Sequence, residues 1–156
     1  MNAQELFFST IQSGNADNIK TQLSHNIGLA NAKDARGFTP LIFATYFDKE
    51  TIAKVLINHK AEIDGRDGSG NTALIGVCFK GNLSIANLLI ENGADVNAQN
   101  LNGVTPLIFA TQYNQEDMVF ALLERKADKF TIDKNGKTAL DYAKEKGFKN
   151  LLAVLS

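Results

Sequence analysis

Hydrophobic and polar positions follow one another along the chain in blocks that are typical of paired helices. A short apolar run, for example residues 41–45, comes first, and in the longer segments that follow, such as residues 84–90, apolar residues recur at helical spacing. A polar stretch, such as residues 94–100, then leads to the next short run. The pattern therefore predicts a unit made of a short helix, a tight turn, a second helix and an extended turn.

This unit recurs with a fixed period of 33 residues. A glycine recurs near the start of each of the last four units, and the four glycines are Gly37, Gly70, Gly103 and Gly136. Two residues later comes a threonine, and the four threonines are Thr39, Thr72, Thr105 and Thr138. A threonine hydroxyl is a good N-cap, and Pro40 and Pro106 suit the first helical position that follows it. The sequence therefore predicts that each short helix begins here.

The end of the short helix is also marked in every unit. Nine residues after each threonine stands a residue type that tolerates positive φ, and the four are Asp48, Gly81, Asn114 and Gly147. We therefore expect a left-handed helix stop at each of these positions.

Residues 92–98, Asn-Gly-Ala-Asp-Val-Asn-Ala, followed by Gly-Val-Thr-Pro-Leu at residues 103–107, resemble the ankyrin repeat. The resemblance covers about residues 4–156 and implies an all-α solenoid of about five helix pairs joined by hairpin loops, with terminal units acting as caps. It implies one domain over residues 1–156. The units are an amino-terminal cap at 1–33, full repeats at 34–66, 67–99 and 100–132, and a carboxy-terminal cap at 133–156.

The chain departs from the family pattern at two sets of positions. The histidine that usually follows Thr-Pro-Leu is replaced by Ile42, Ile75, Ile108 and Asp141. Lys60 and Lys126 stand where Gly93 keeps the family glycine. If these lysines adopt positive φ, each costs about 1 kcal/mol relative to glycine, and we expect the adjoining hairpins to be less regular.

Composition excludes several classes of protein. The chain of 156 residues is 44% hydrophobic and has a net charge of −1, which argues against a strongly basic surface for nucleic acid. No apolar run approaches the about 20 residues of a membrane helix, and the amino end lacks the features of a signal peptide. The single cysteine, Cys78, excludes an internal disulfide and a four-cysteine zinc site. We therefore expect a cytoplasmic protein that does not bind membranes.

No pattern of catalytic or metal-binding residues stands out. The glycine-rich residues 65–70 fit a turn better than a phosphate loop, because no lysine and helix follow them. Cys78 is interpreted as a small, partly buried residue rather than a reactive thiol. His59 is expected to end a helix and His25 to lie exposed in a loop. The sequence therefore predicts a protein that is not an enzyme and has neither a cofactor nor a metal.

Two columns of residues are expected on the face where ankyrin repeats usually meet their partners, at the hairpin tips and the solvent-facing ends of the short helices. One column is Tyr46, Phe79, Gln112 and Glu145, and the other is Phe47, Lys80, Tyr113 and Lys146. Exposed aromatic side chains are typical anchors of protein interfaces. The alternative is that these rings fold back over neighbouring helices as additional packing.

Basic residues in the hairpins are expected to make this face positive, although the whole chain is not. The partner is therefore predicted to present apolar side chains with acidic neighbours. The predicted binding set is Arg36, Phe38, Tyr46, Phe47, Arg66, Asn71, Phe79, Lys80, Leu101, Val104, Gln112, Tyr113, Lys134, Lys137 and Lys146.

The sequence leaves several functions open. The leading hypothesis is a monomeric, non-catalytic module that binds a partner protein through the concave face of the solenoid, as a scaffold or adaptor. The alternative is an inhibitor or immunity-like protein that sterically blocks one enzyme or toxin. Asn97 resembles the asparagines that an iron-dependent oxygenase hydroxylates in ankyrin repeats, but a bond within its own hairpin is the favoured interpretation. Phe120 is expected on the outer surface, and a nucleic-acid partner is disfavoured.

Overall fold

Ten α-helices follow one another in five pairs in the computed structural model, which describes residues 1–156 and contains no strands. The first helices of the pairs are α1 (Ala3–Ser13), α3 (Pro40–Tyr46), α5 (Ala73–Lys80), α7 (Pro106–Gln112) and α9 (Ala139–Lys146). The second helices are α2 (Ala16–His25), α4 (Glu50–Asn58), α6 (Leu83–Glu91), α8 (Glu116–Glu124) and α10 (Lys149–Leu155). A short 3-10 helix at Ile27–Asn31 was not predicted.

The four threonines cap the short helices as predicted. Each side-chain oxygen accepts a hydrogen bond from the backbone N–H three residues later, over 3.1–3.3 Å. Pro40 and Pro106 occupy the first turn, where a missing N–H costs nothing. The sequence therefore fixes where α3, α5, α7 and α9 begin.

The helix stops are also confirmed. Asp48, Gly81, Asn114 and Gly147 all have positive φ, between 50° and 74°. Lys60 and Lys126 adopt φ values of 66° and 68°, in the column where Gly93 has 95°. A lysine Cβ is unfavourable in this region, so the two lysines carry the strain that the departure from glycine predicts.

The apolar side chains form one continuous core. A single cluster of buried residues in mutual contact extends through the molecule from Phe7 in α1 to Leu155 in α10. The first helices of successive pairs pack side by side, and contacts also join α2 with α4, α6 with α8 and α8 with α10. This arrangement is the predicted solenoid, in which each pair buries its apolar face against its neighbours.

An aspartate or asparagine organises each hairpin turn between the pairs. These residues form a column that the sequence analysis did not single out, although it also recurs every 33 residues: Asp34, Asp67, Asn100 and Asp133. In each, Oδ1 accepts hydrogen bonds from the backbone N–H groups two and four residues later, over 2.8–3.1 Å. The glycine-rich residues 65–70 lie in this kind of turn.

A second set of side chains links each unit to the next. Asn31 and Asn97 accept hydrogen bonds through Oδ1 from the backbone N–H groups of Glu62 and Asp128, both over 2.8 Å. Asp64 Oδ1 likewise accepts a hydrogen bond from the backbone N–H of Asp95, in the following unit, over 3.1 Å. The expectation that Asn97 makes a side-chain bond within its own hairpin is therefore wrong, because its acceptor oxygen bridges two units.

Three smaller expectations have mixed outcomes. Cys78 is completely buried rather than partly buried, because α5 lies between α3 and α7. His25 is exposed as expected, but it is the last residue of α2 rather than part of a loop. His59 does end α4, where its Nδ1 lies 2.7 Å from the carbonyl oxygen of Val55.

The positive φ of Lys126 gives a prediction about stability. Replacing Lys126 with glycine should raise the free energy of unfolding by about 1 kcal/mol, because glycine adopts this conformation without steric cost. Urea unfolding followed by circular dichroism measures the change. The reverse substitution, Gly93→Lys, should lower the free energy by a similar amount. Equal stability of all three proteins would show that this backbone position carries no strain.

Candidate protein-interaction face

The hairpin turns and the short helices line the same depression on one side of the solenoid. We call this depression the groove; it has a volume of about 380 Å³ and is lined by residues from α3, α5 and α7 and from the turns before α3 and α5. Seven predicted binding residues line it, and they are Arg36, Phe38, Tyr46, Phe47, Asn71, Phe79 and Tyr113. The structure therefore brings about half of the predicted set together.

The other predicted residues lie outside the groove. Three of them line a more polar depression towards α9, and they are Val104, Gln112 and Lys134. Asn71 lines both depressions. Five predicted residues line neither depression, and they are Arg66, Lys80, Leu101, Lys137 and Lys146. Of these, Leu101 is the most prominent apolar side chain, with 74% of its surface exposed at a hairpin tip.

The predicted exposure of the aromatic rings is confirmed, but the rings also pack against one another. Tyr46, Phe47 and Tyr113 are exposed and Phe79 is half-buried. The centroids of Phe79 and Tyr113 are 4.6 Å apart in an edge-to-face arrangement, and Phe109 lies 5.3 Å from Tyr113. The rings therefore pack against one another and are still accessible to solvent, while their role as interface anchors stays a prediction.

A second aromatic cluster lies at the other end of the groove. Phe43 contacts Phe8 of α1 at a centroid distance of 5.5 Å and Phe47 at 4.7 Å. Tyr46 in turn meets Phe47 edge to face at 5.2 Å. The groove is thus flanked by aromatic rings from α3 on one side and from α5 and α7 on the other.

Gly76 creates the groove between these clusters. It occupies the column that carries an aromatic ring in the other three units, Phe43, Phe109 and Tyr142. A Cβ added at Gly76 would have no heavy atom within 4 Å. Gly76 is absent from the predicted binding set, although the 33-residue period and the missing ring in the second full unit could have revealed it.

Half of the six cations predicted on this face form ion pairs within the chain. Arg36 pairs with Asp34 at 2.9 Å. Lys80 pairs with Asp48 at 2.9 Å, and Lys137 with Glu145 at 2.8 Å. Of the six predicted cations, Arg66, Lys134 and Lys146 are therefore left without a carboxylate partner.

Lys80 and Lys146 also connect successive units while lying over exposed rings. Lys80 Nζ donates to the carbonyl oxygen of Tyr46 and lies 5.1 Å from the centroid of that ring. Lys146 Nζ donates to the carbonyl oxygen of Gln112 over 2.9 Å and lies 6.0 Å from the Tyr113 centroid. Lys146 differs from Lys80 in having no carboxylate partner in the structure.

Arg66 has a structural role in addition to the predicted binding role. Its Nη1 donates to the carbonyl oxygens of Gly70 over 2.9 Å and of Gln99, in the next unit, over 2.7 Å. Gln99 repeats the arrangement one unit later by donating to the carbonyl oxygens of Gly103 and Ile132. The guanidinium of Arg66 is therefore held in place by the hairpins.

The ionisable groups near this face have pKa shifts with simple causes. Hydrogen bonds from Lys80 and Asn82 lower the pKa of Asp48. The phenol of Tyr142 donates to the buried carboxylate of Asp133, and this bond raises the pKa of Tyr142. Burial raises the pKa of the Cys78 thiol, so the thiolate is disfavoured.

No group of three or more histidine, cysteine, aspartate and glutamate side chains is arranged to hold a metal ion. None of the ten helices combines the length and hydropathy needed to cross a bilayer. The arrangement of side chains around the groove is suited to recognition through apolar contact, with cations at its rim.

Comparison with known protein families gives one match. A family model described as "Ankyrin repeats (3 copies)" matches residues 7–100 and residues 77–156, and the two overlapping matches cover nearly the whole chain. None of the curated proteins that were compared matches the chain significantly.

Gly76 gives a prediction about stability. Gly76→Ala should raise the free energy of unfolding by about 1 kcal/mol, because alanine is the better helix former and its Cβ meets no neighbouring atom. Denaturant unfolding measures the gain. As a control, Gly81→Ala at the end of the same helix should lower stability, because Gly81 has positive φ and the Gln115 side chain occupies the space of a Cβ. A destabilised Gly76→Ala protein would contradict the open geometry of the groove.

Proposed function

Because the chain belongs to the ankyrin repeat family, whose repeats are generally protein–protein interaction modules, we propose that it binds a partner protein through the short helices and hairpin turns. The observation that supports this most directly is the groove with its exposed rings, Tyr46, Phe47 and Tyr113. Large aromatic side chains at the rim of an apolar depression are typical hot spots of protein recognition.

The contact residues are held in position before binding. Phe79 and Tyr113 support each other, and Lys80 and Lys146 fix the ends of the short helices to the preceding units. Side chains that are already ordered lose little conformational entropy when a partner binds. A solenoid of this kind therefore suits recognition of a folded protein or a peptide without rearrangement.

The unpaired cations indicate where acidic groups of the partner would lie. Arg66, Lys134 and Lys146 have no carboxylate partner in the chain; Arg66 is held by two carbonyl oxygens of the hairpins, and the two lysines belong to the last unit. Arg36 and Lys80, in the earlier units, are already paired. The partner would therefore place apolar side chains over the groove and acidic side chains towards α9.

The chain would act in the cytoplasm as a monomer, without catalysis, cofactor or metal, by occupying a surface of its partner. A scaffold or adaptor role and an inhibitor or immunity-like role use the same contacts. Affinity capture from the native cells separates them, because a single stoichiometric enzyme or toxin is expected for an inhibitor and several partners for a scaffold. Loss of that enzyme's activity on addition of the purified chain would identify the inhibitor.

Removal of three aromatic rings from the proposed interaction face should weaken binding strongly. We expect the triple variant Tyr46→Ala, Phe79→Ala, Tyr113→Ala to bind the captured partner about a hundredfold more weakly, because several hot-spot contacts are lost together. Calorimetric titration measures affinity, and circular dichroism checks that the helices persist. Phe120→Ala removes an exposed ring from the outer helix α8 and should leave affinity unchanged. Unchanged binding by a folded triple variant would place the interface elsewhere.

The two unpaired lysines should act mainly on the rate of association. Lys134→Ala combined with Lys146→Ala should slow association with the captured partner about tenfold at low salt, because electrostatic attraction guides the encounter. The difference should shrink as the ionic strength rises. Lys54→Ala, an exposed lysine on α4, is the matched control. Equal association rates for both variants would exclude an acidic contact at α9.

A further inference from the structure

We propose that the groove above Gly76 takes one aromatic side chain of the partner protein, and that an acidic residue of the partner flanks this ring on the side of Tyr113. The inference rests on the proposed function and specifies the chemistry of the segment that is bound.

The repeat itself indicates what fits above Gly76. In the other units the equivalent position carries a ring, namely Phe43, Phe109 or Tyr142. Neighbouring short helices pack in the same way along the stack, so the space at Gly76 is the space that a ring occupies elsewhere. A ring supplied by a partner would complete the aromatic column.

The backbone does not require glycine at this position. Gly76 lies inside α5, does not have positive φ, and has no neighbour that would exclude a Cβ. Glycine inside a helix weakens it relative to alanine. The groove is therefore the feature of the structure that depends on the absence of a side chain at position 76.

The walls of the groove favour an aromatic guest. Phe47 and Tyr46 stand at one end, and Phe79, Phe109 and Tyr113 stand at the other. The rings of these clusters already meet edge to face at centroid distances between 4.6 and 5.3 Å. Aromatic pairs in this geometry are stabilised beyond the burial of their surface, so a guest ring would gain contacts that an aliphatic side chain lacks.

Cations of the chain already lie beside three of the rings around the groove, while the half-buried carboxylate of Asp67 lies in its lining. The Arg36 guanidinium carbon lies 4.6 Å from the centroid of Phe38, which lines the groove. Lys80 and Lys146 lie 5.1 and 6.0 Å from the ring centroids of Tyr46 and Tyr113. These ring faces therefore already have cations of the chain beside them, which favours an uncharged aromatic guest over a second cation at the same faces.

The same cations indicate which flank of the guest is acidic. Arg36 and Lys80 have Asp34 and Asp48 as partners. Lys146, next to Tyr113, donates only to the carbonyl oxygen of Gln112. A carboxylate beside the guest ring would therefore pair with Lys146.

Short synthetic peptides test this assignment on the full-length chain. The probe is acetyl-Glu-Phe-Glu-amide, and the controls are acetyl-Glu-Ala-Glu-amide, acetyl-Lys-Phe-Lys-amide and the peptide in which trimethyl-lysine replaces phenylalanine. Each is titrated into isotope-labelled protein while the amide resonances of Gly76 and its neighbours are followed by NMR. We expect a saturable shift at Gly76 with the probe and binding roughly tenfold weaker or undetectable with each control.

Two variants locate the binding. Gly76→Phe should fill the groove and abolish the shift of the neighbouring amides, whereas Lys54→Phe should not affect it. Lys54 is the matched control because it stands in the outer column where Phe120 already carries a ring. Lys146→Gln should weaken binding of the glutamate peptide several-fold and should not weaken binding of the lysine peptide.

Several results would overturn the proposal. They are no shift at Gly76, equal shifts with the alanine peptide, tighter binding of the trimethyl-lysine peptide, or an unchanged affinity in folded Gly76→Phe. The comparison of peptides on the unmodified chain decides the matter even if that variant does not fold. A dimer in analytical ultracentrifugation that Gly76→Phe dissociates would make a second copy of the chain the occupant and would also overturn it.

The captured partner separates this proposal from the proposed function. If the partner binds Gly76→Phe normally but does not bind the triple alanine variant, the interaction face stands and the ring-binding site is wrong. If the partner binds the triple variant normally, the proposed interaction face itself is wrong.

Discussion

No helix pair in this chain can bury its apolar side chains alone, and every other feature of the structure depends on this constraint. A unit of 33 residues supplies two short helices, which cover one another only on one side. The remaining apolar surface is buried against the units before and after, so the core is continuous from Phe7 to Leu155. Because stacking fixes the register between units, residues 33 apart become neighbours in space. The proposed interaction face is thus a product of packing between units rather than of any single unit.

The sequence alone predicts those features that depend on short-range geometry. A threonine N-cap acts on an amide three residues away, and a left-handed helix stop depends on the residue that adopts it, so Thr105 and Asn114 could be assigned correctly from the pattern. The exposure of Tyr113 followed from the same helical geometry. These effects involve few residues, and each has a recognisable residue type at a fixed spacing.

Interactions between units were harder to predict. Lys80 reaches Asp48, and Asn97 reaches the backbone of Asp128, across distances in sequence that no local rule covers. The ion pairs of Arg36, Lys80 and Lys137 were missed for this reason, since a count of cations does not show which of them have carboxylate partners. Once the period is known, however, such contacts can be sought by comparing each position with those in the next unit. Examined in this way, the Asp34 column and the missing ring at Gly76 are both visible in the sequence.

Gly76 lowers the stability of helix α5 and at the same time leaves the groove open on the surface. Helix propensity, the packing of the aromatic column and the open space above α5 all favour a larger side chain there. When a residue contradicts the local preferences that the rest of the unit satisfies, a functional constraint is a sound physical explanation. The strained lysines Lys60 and Lys126 are a different case, because they line neither the groove nor the polar depression beside it. Their strain is therefore not linked to either depression, whereas Gly76 lies in the lining of the groove beside the exposed rings.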